Sequence, residues 1–327
     1  IMSAIKKIAI SGAAGNIAYQ ACFRIAAGEF LGTDQLIDLQ LLDIEPMLPK
    51  AIGVKMELND CAFPFLNSVN VTADPNVAFS GADYIFLFGA KPRVKGMERK
   101  DLLEENGKIF GPQGRAINNN ASRDVKVLVI GNPANTNCLI AATNAPDVNP
   151  DQFTSMMRLD HDRAKYQLAK KASKTITSIH KMTVWGNHSS TQFPDISCAT
   201  IDGETATDLI DYNWYKKEFI PTIQQRGAAI IDARGASSAA SAANAAIAHM
   251  RDWVFGTKKD DWTSMGLLST GNYGIASDIY FSFPVLCQDS KYTVVDNLEH
   301  SEFARSMLNA TQSELLEERD AVKELLG

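Results

Sequence analysis

The sequence predicts an α/β protein built around a doubly wound parallel sheet, and two observations support this prediction. Short apolar runs with the length of buried strands recur in the first half of the chain, at residues 7–10, 37–42, 69–72, 84–88 and 125–130. Helical patterns lie between them, at residues 19–26, 47–60 and 102–120. This alternation indicates parallel strands joined by right-handed crossovers, with ligands bound at the carboxyl ends of the strands.

The second half of the chain has a different pattern, because the regular alternation stops at about Pro150. We therefore expect a doubly wound domain over residues 1–154 and a C-terminal α+β domain over residues 155–327. A tightly packed helix is predicted in the Ala/Ser-rich segment 236–248, and a loop is predicted at the asparagine run 118–120.

The composition excludes several classes of partner. The chain has 327 residues, of which 45% are hydrophobic and 21% charged, as in ordinary globular proteins. The net charge of −6 argues against a nucleic-acid partner, because such proteins usually carry a basic face. A membrane span needs about 18 consecutive apolar residues, and no apolar run in the chain approaches that length. We therefore expect no membrane segment and no secretory signal. The five cysteines lack any CxxC spacing, which favours reduced thiols in the cytoplasm and no metal site.

The first strand runs into a glycine-rich turn with a GxxGxxA pattern. Gly12 would permit the tight turn, and Gly15 would let the backbone approach a pyrophosphate closely. Ala18 would let the next helix pack near the strand, with its N-terminus facing the anion. An ordinary strand-to-helix turn is the alternative, and the pattern alone does not decide between them.

Asp43 ends the second strand, about 25 residues beyond the glycine turn. A carboxylate at this place can bond both ribose hydroxyls of an adenosine. It would repel a 2′-phosphate, so the position favours NAD over NADP. The alternative is a helix N-cap ahead of residues 44–46.

Residues 91–101 are the most basic stretch of the chain, with five cations in the ten positions 91–100. Pro92 and Gly96 interrupt regular structure there. We predict a mobile lid over about residues 91–103 that closes over an anion.

Asn132 follows the strand at residues 125–130 and would therefore lie at the carboxyl edge of the sheet. Its amide can both donate to and accept from a polar ligand. The alternative is an Asx turn ahead of Pro133.

Two polar groups in the second half are candidates for chemistry. Asp160 and Arg163 are three residues apart and would share a helix face, although such a pair is more often a surface salt bridge. His188 follows an apolar strand and Gly186, in a run of hydroxyl side chains. A lone histidine needs a partner, and His161, between two aspartates, is its rival.

These pieces together resemble the cytosolic-type malate dehydrogenases of the NAD-dependent lactate/malate dehydrogenase superfamily, over essentially the whole chain. The resemblance implies an N-terminal Rossmann domain and a C-terminal substrate domain. The matching motifs are GAAGNIA (12–18), LLDI (41–44), PR (92–93), GMERKDLL (96–103), GNPANTNC (131–138), LDHDRAK (159–165), WGNHSSTQ (185–192) and FSFPV (281–285).

The resemblance implies a role for each of five residues. His188 would be the proton acceptor and donor, and Asp160 would orient it and favour its imidazolium. Arg163 would clamp the substrate carboxylate next to the reacting carbon, a bidentate task that suits a guanidinium. Arg99 would polarise the substrate oxygen, and Arg93 would pair with the distal carboxylate.

The resemblance also implies contacts with the cofactor, NAD. Asn132 would touch the substrate as well, and residues 237–241 would line the substrate side opposite the lid. Asn16, Lys91 and Ala240 depart from the residues usual in the family, which affects fine cofactor contacts rather than the reaction. The cofactor would lie along Gly12, Ala13, Ala14, Gly15, Asn16, Ile17, Ala18, Asp43, Asn106, Gln113, Ile130, Gly131 and Asn132.

The implied reaction is reversible hydride transfer between (S)-malate and NAD+, a step of the tricarboxylic acid cycle, in a cytoplasmic homodimer. The implied partner is a small dicarboxylate. A lactate or other 2-hydroxy-acid dehydrogenase is one alternative, and Arg93 argues against it. A dinucleotide-binding protein without turnover is the other, and the presence of His188, Asp160 and Arg163 argues against that.

Overall fold

A computed structural model describes residues 4–92 and 97–327 of the chain, and for Arg99 it describes the backbone alone. The strands in this part of the chain are β1 (Lys6–Ser11), β2 (Ile37–Leu42), β3 (Leu66–Thr72), β4 (Tyr84–Leu87), β5 (Lys126–Val129), β6 (Phe153–Met156), β7 (Ile179–His180), β8 (Thr183–Trp185), β9 (Phe193–Asp195), β10 (Thr200–Ile201), β11 (Glu204–Thr205), β12 (Thr263–Leu268), β13 (Tyr280–Gln288) and β14 (Lys291–Val294).

The α-helices pack around these strands. They are α1 (Asn16–Ala26), α2 (Leu48–Asp60), α3 (Pro75–Phe79), α4 (Arg99–Asn120), α5 (Ala134–Thr143), α6 (Arg158–Ala172), α7 (Ala206–Leu209), α8 (Tyr212–Trp214), α9 (Ile220–Gln224), α10 (Arg226–Arg234), α11 (Ala240–Phe255) and α12 (Glu302–Ala321). None of the helices in the described residues is long and apolar enough to cross a membrane.

The main sheet has the order β14-β13-β12-β6-β5-β4-β1-β2-β3. The six strands from β6 to β3 are parallel, and β12, β13 and β14 extend them antiparallel. Since β1 pairs with β2 on one side and β4 on the other, the chain reverses its winding direction at β1. In a doubly wound sheet the ligand crevice opens at this reversal. The predicted doubly wound α/β fold is therefore confirmed.

Both faces of the parallel strands are buried, which explains their nearly continuous apolar sequences. In β4, Phe86 belongs to one apolar cluster, whereas Ile85 and Leu87 belong to the cluster on the other face. Leu128 and Val127 of β5 divide in the same way. This period of two is the one that side chains follow along a strand.

The join between the two halves of the chain is itself a pair of strands. β6 pairs with β5 in parallel and with β12 antiparallel, and the predicted domain boundary after residue 154 falls inside it. Gly266 of β12 lies opposite Ser155, and a Cβ at Gly266 would stand 1.9 Å from the Ser155 hydroxyl. The sheet therefore continues without a gap from the first half into the second.

The expected loop at residues 118–120 is wrong, because α4 extends through Asn120. The Asn118 amide bonds Asp147 in both directions, accepting from its backbone N–H at 2.8 Å and donating to its carboxylate at 3.0 Å. Asn120 donates to the Ala116 carbonyl at 2.9 Å and to the Asn76 side chain at 2.9 Å. These bonds satisfy the amides, which otherwise compete with the helix backbone.

Candidate active site

The glycine turn lies at the reversal of the sheet and leaves no room for a side chain. Gly12 has a φ of +63°, and a Cβ there would stand 2.5 Å from the Gly89 Cα, beyond the end of β4. The Gly15 N–H donates to the Gly12 carbonyl at 2.8 Å, which closes the turn. Backbone alone therefore lines this part of the crevice.

The N-terminus of α1 has the donors that an anion needs. Its N-cap is Gly15, and no described side chain bonds the first N–H groups there. Gly15 and Asn16 are exposed, while Ala18 is fully buried against the strands. Uncapped N–H groups and the helix dipole suit a pyrophosphate, so these residues fit a dinucleotide.

Asp43 lies beside the glycine turn. Its carboxylate accepts from the Ala14 N–H at 2.8 Å and from the Ile44 N–H at 2.9 Å. The N-cap of the following 3₁₀ turn, Glu45–Met47, is Ile44, so the capping alternative for Asp43 is wrong. The carboxylate stands at the end of β2, where the ribose of a dinucleotide lies in sheets of this kind.

Asn106 is fully buried in α4 and holds the backbone at the base of the predicted lid. Its oxygen accepts from the Lys91 N–H at 2.9 Å, and its nitrogen donates to the carbonyls of Leu102 at 2.9 Å and Lys91 at 3.3 Å. Asn106 thus links the two ends of the predicted lid, and its expected contact with the cofactor stays a prediction. Gln113, further along α4, has a buried Oε1 that accepts from no described group.

The structure describes little of the two lid arginines, Arg93 and Arg99. Arg93 lies outside the described residues. Arg99 is the first residue of α4, and its side chain is likewise outside the description.

The loop after β5 forms the neighbouring wall. The N–H groups of Ile130 and Gly131 donate to the Leu87 carbonyl, at 2.9 and 3.0 Å. A Cβ at Gly131 would stand 2.7 Å from the Ala90 Cβ, so glycine is needed for this approach. Asn132 comes next, with an exposed side chain and a cis peptide bond to Pro133. The alternative was an Asx turn, but the hydrogen bonds described for this part of the chain do not include the bond that such a turn needs.

The structure brings Asp160, Arg163 and His188 together. Asp160 Oδ2 hydrogen-bonds His188 Nδ1, and its Oδ1 accepts from Arg163 Nη1 at 3.0 Å. The other guanidinium nitrogen donates to Ser238 Oγ at 3.1 Å, within the segment expected opposite the lid. The Asp160 side chain is 0% exposed, whereas those of Arg163 and His188 are 13% exposed, so a ligand can reach only the latter two.

Opposing effects set the pKa of Asp160. Burial raises it, but the charge and hydrogen bond of His188, together with the charge of Arg163, lower the pKa below its ordinary value. An ionised carboxylate only accepts hydrogen bonds, so His188 Nδ1 must carry the hydrogen. This leaves Nε2 as the ring nitrogen that can exchange a proton with a bound molecule.

His161, the rival candidate, is a core residue. Its Nδ1 lies 3.0 Å from Ser264 Oγ, which itself accepts from the Val184 N–H at 3.0 Å. Burial, reinforced by the charges of Arg158 and Lys165, lowers the pKa of His161 well below its ordinary value. It is therefore neutral and inaccessible.

Two residues around His188 escaped the sequence analysis. Asn135 is 1% exposed, and its oxygen accepts from the His188 N–H at 3.0 Å while its nitrogen donates to the carbonyls of Gly186 and Tyr280. Gln192 is 3% exposed and donates to the Ser189 carbonyl at 3.0 Å. A signal for Asn135 existed, since a second asparagine follows Asn132 in the same helix-opening motif.

Among the described residues, no cluster of histidine, cysteine and carboxylate side chains could hold a metal ion.

Comparison with known proteins adds the family. A model of the lactate/malate dehydrogenase NAD-binding domain matches residues 6–153, and one of the lactate/malate dehydrogenase alpha/beta C-terminal domain matches residues 157–326. Malate dehydrogenase from Naegleria fowleri is 48% identical, with a TM-score of 0.96 over 100% of both chains. Trichomonas vaginalis lactate dehydrogenase, solved with NADH and oxamate, is 38% identical, with a TM-score of 0.94 over 98% of this chain and 99% of that one.

Proposed function

We propose that this chain, which belongs to the lactate/malate dehydrogenase family, catalyses reversible hydride transfer between (S)-malate and NAD+ to give oxaloacetate and NADH. NAD is the cofactor of the matched N-terminal domain. The choice of a 2-hydroxy acid rests on one observation, the buried contact of Asp160 with both His188 and Arg163. An acid–base group and a carboxylate-binding group are thereby fixed beside each other.

The residues divide the work of the reaction. When malate is oxidised, His188 Nε2 takes the proton of the C2 hydroxyl, and the ionised Asp160 stabilises the imidazolium that forms. Arg163, oriented by Asp160 and Ser238, holds the carboxylate next to C2. Bound NAD supplies the nicotinamide ring that accepts the hydride. Oxidation requires neutral His188, and reduction requires its protonated form.

Arg93 favours a dicarboxylate over pyruvate. Its guanidinium would face the distal carboxylate of oxaloacetate, and pyruvate would leave that charge without a partner. Leaving a charge uncompensated in a closed site costs about 3–5 kcal/mol. This cost is enough for a discrimination of about 10²–10³-fold. The 48% identity to a malate dehydrogenase, against 38% to a lactate dehydrogenase, supports the same choice.

The test is to follow NADH absorbance with oxaloacetate and then with pyruvate. We expect kcat/KM to be about 10²–10³-fold higher for oxaloacetate. Arg93→Gln should lower this ratio toward one, whereas Lys100→Gln, which removes a charge that is 71% exposed on α4, should not. A kcat/KM for pyruvate that equals or exceeds that for oxaloacetate in the unmodified protein would contradict the choice of malate.

The proposal extends to a cytoplasmic homodimer, in line with the family resemblance. α10 has no fully buried residue among those described, and Ile231 on it is 48% exposed. Met56 on α2 is 60% exposed. A second copy that covers these two helices would bury both side chains. Light scattering should give twice the chain mass of 35.7 kDa, and a single-chain mass at assay concentration would contradict the dimer.

A further inference from the structure

The loop that carries His188 rests on the C-terminal helix. This loop, residues 186–191 and here called the histidine loop, packs against α12 through Thr311. The Thr311 hydroxyl accepts from the Asn187 N–H at 2.9 Å and bonds Thr191 Oγ1 at 2.9 Å. A Cβ at Gly186 would stand 2.2 Å from the Thr311 methyl group, so the loop lies directly on the helix.

Glu318, two turns beyond Thr311 on α12, joins the histidine loop to α5. The residue is 2% exposed. Its Oε1 accepts from Asn187 Nδ2 at 3.0 Å, and its Oε2 accepts from the hydroxyl of Thr136. Thr136 follows Asn135, the residue that bonds the His188 backbone. One carboxylate therefore fixes both segments that set the position of His188.

Glu314 lies one turn earlier on the same face of α12 and holds the rest of the histidine loop. Its Oε2 accepts from Asn187 Nδ2 at 2.8 Å, from Thr191 Oγ1 at 2.7 Å and from the hydroxyl of Ser189. The side chains on either side of His188 are thus both bonded to one oxygen atom. The histidine itself takes no part in these bonds and points to Asp160.

Hydrogen-bonding chemistry explains why positions 314 and 318 both carry carboxylates. The amide of Asn187 and the hydroxyls of Thr136, Ser189 and Thr191 all donate to them, and a carboxylate is the side chain that only accepts. A glutamine at position 318 would keep the volume but replace one carboxylate oxygen by an amide nitrogen, which would either face Asn187 Nδ2 or require the Thr136 hydroxyl to turn and accept. That mismatch would shift the loop, whereas the fold beyond it would keep its packing.

We propose that Glu318 and Glu314 are positioning residues for His188, which act through the histidine loop without contacting substrate or cofactor. The inference rests on the proposed dehydrogenase function. It predicts a defect confined to the proton-transfer geometry, because displacements of about 1 Å at a catalytic group can cost on the order of 10²-fold in rate.

The test compares Glu318→Gln with Glu317→Gln, a neighbouring exposed position on the same helix. For Glu318→Gln we expect kcat for malate oxidation to fall about 10- to 100-fold, with NADH binding unchanged. The kinetic isotope effect with malate deuterated at C2 should rise, because the chemical step becomes rate-limiting. Glu317→Gln should match the unmodified protein in all three measurements.

Glu314→Ala, at a half-buried position, removes the oxygen that Asn187, Ser189 and Thr191 share, and it covers the case in which Glu318→Gln does not fold. Normal kcat and a normal isotope effect in the folded variants would overturn the proposal. A fall in kcat together with a matching loss of NADH binding would also overturn the proposal, because that result would indicate a general structural role. If the unmodified protein turns over neither malate nor lactate, the proposed function itself fails. That result concerns the unmodified protein, so it can be distinguished from the two results for the variants.

Discussion

Asp160 is the side chain that contacts both His188 and Arg163. It is fully buried, yet it stays ionised because His188 and Arg163 compensate it. The same carboxylate fixes which nitrogen of His188 carries hydrogen and how the Arg163 guanidinium is turned. A single side chain therefore aligns the acid–base group with the group that would bind the substrate carboxylate.

We predict that Asp160→Asn lowers kcat by about 10²- to 10⁴-fold. The amide can present a donor to His188 Nδ1 and so favour the tautomer with hydrogen on Nε2, which cannot accept the hydroxyl proton. NADH titration should show unchanged cofactor binding. Asp208→Asn, at an exposed position, is the control, and an Asp160→Asn variant with the kcat of this control would refute the role of Asp160.

At the scale of residues, the sequence predicts the proposed reacting groups better than it predicts the residues that hold them in position. The pairing of His188 with Asp160 follows from motifs that resemble a known family. The carboxylates of α12 could not be predicted, because each bonds the histidine loop from a distant part of the chain. Glu314, for example, lies 127 residues beyond its partner Asn187. Hydrophobic patterns carry no information about such a contact.

At the scale of elements, apolar periodicity predicts the strands around the crevice, and β2 has its predicted bounds. Apolar periodicity does not predict β6, because two of its four residues are polar. Thr154 and Ser155 are nevertheless fully or almost fully buried, and Thr154 lies 3.0 Å from His249 Nε2. A strand whose polar groups are satisfied by distant side chains does not show the apolar run that marked its neighbours.

The turn between β1 and α1 gives a prediction at this scale. Gly12→Ala should destabilise the protein by at least about 1–2 kcal/mol, because alanine is unfavourable at a φ of +63° and its Cβ would meet Gly89. NADH binding should weaken as well, since the turn faces the crevice. Urea unfolding and NADH titration measure the two effects.

The matched control is Gly53→Ala in α2, where a Cβ meets nothing within 4 Å. Alanine in a helix interior should instead stabilise the protein by about 0.5–1 kcal/mol. Equal effects of the two substitutions on stability would contradict the account of the turn.

At the scale of the whole molecule, buried histidines make stability depend on pH. Burial, with a smaller effect of Arg158, lowers the pKa of His249 from 6.5 to about 3. Between these two values the unfolded chain binds a proton that the folded chain does not, so acidification favours unfolding. Each pH unit in this window costs about 1.4 kcal/mol for one such group.

We therefore predict that His249→Gln reduces the loss of unfolding free energy between pH 7 and pH 5 by ~2 kcal/mol. Urea unfolding at the two pH values measures this difference. Thr154→Val removes the hydrogen bond of His249 but keeps its ring, so it should retain the pH dependence of the unmodified protein. An unaltered pH dependence in His249→Gln would rule out His249 as its source.

The junction between β6 and β12 limits how this chain can be recombined with its relatives. A chimaera that takes its first half from one parent and its second half from another has to match two strands, not a linker. Met156 and Ser155 must find their register with Met265 and Gly266, and only glycine leaves space for the Ser155 hydroxyl. Productive crossovers should therefore keep this pair of strands from a single parent, wherever else the sequences are exchanged.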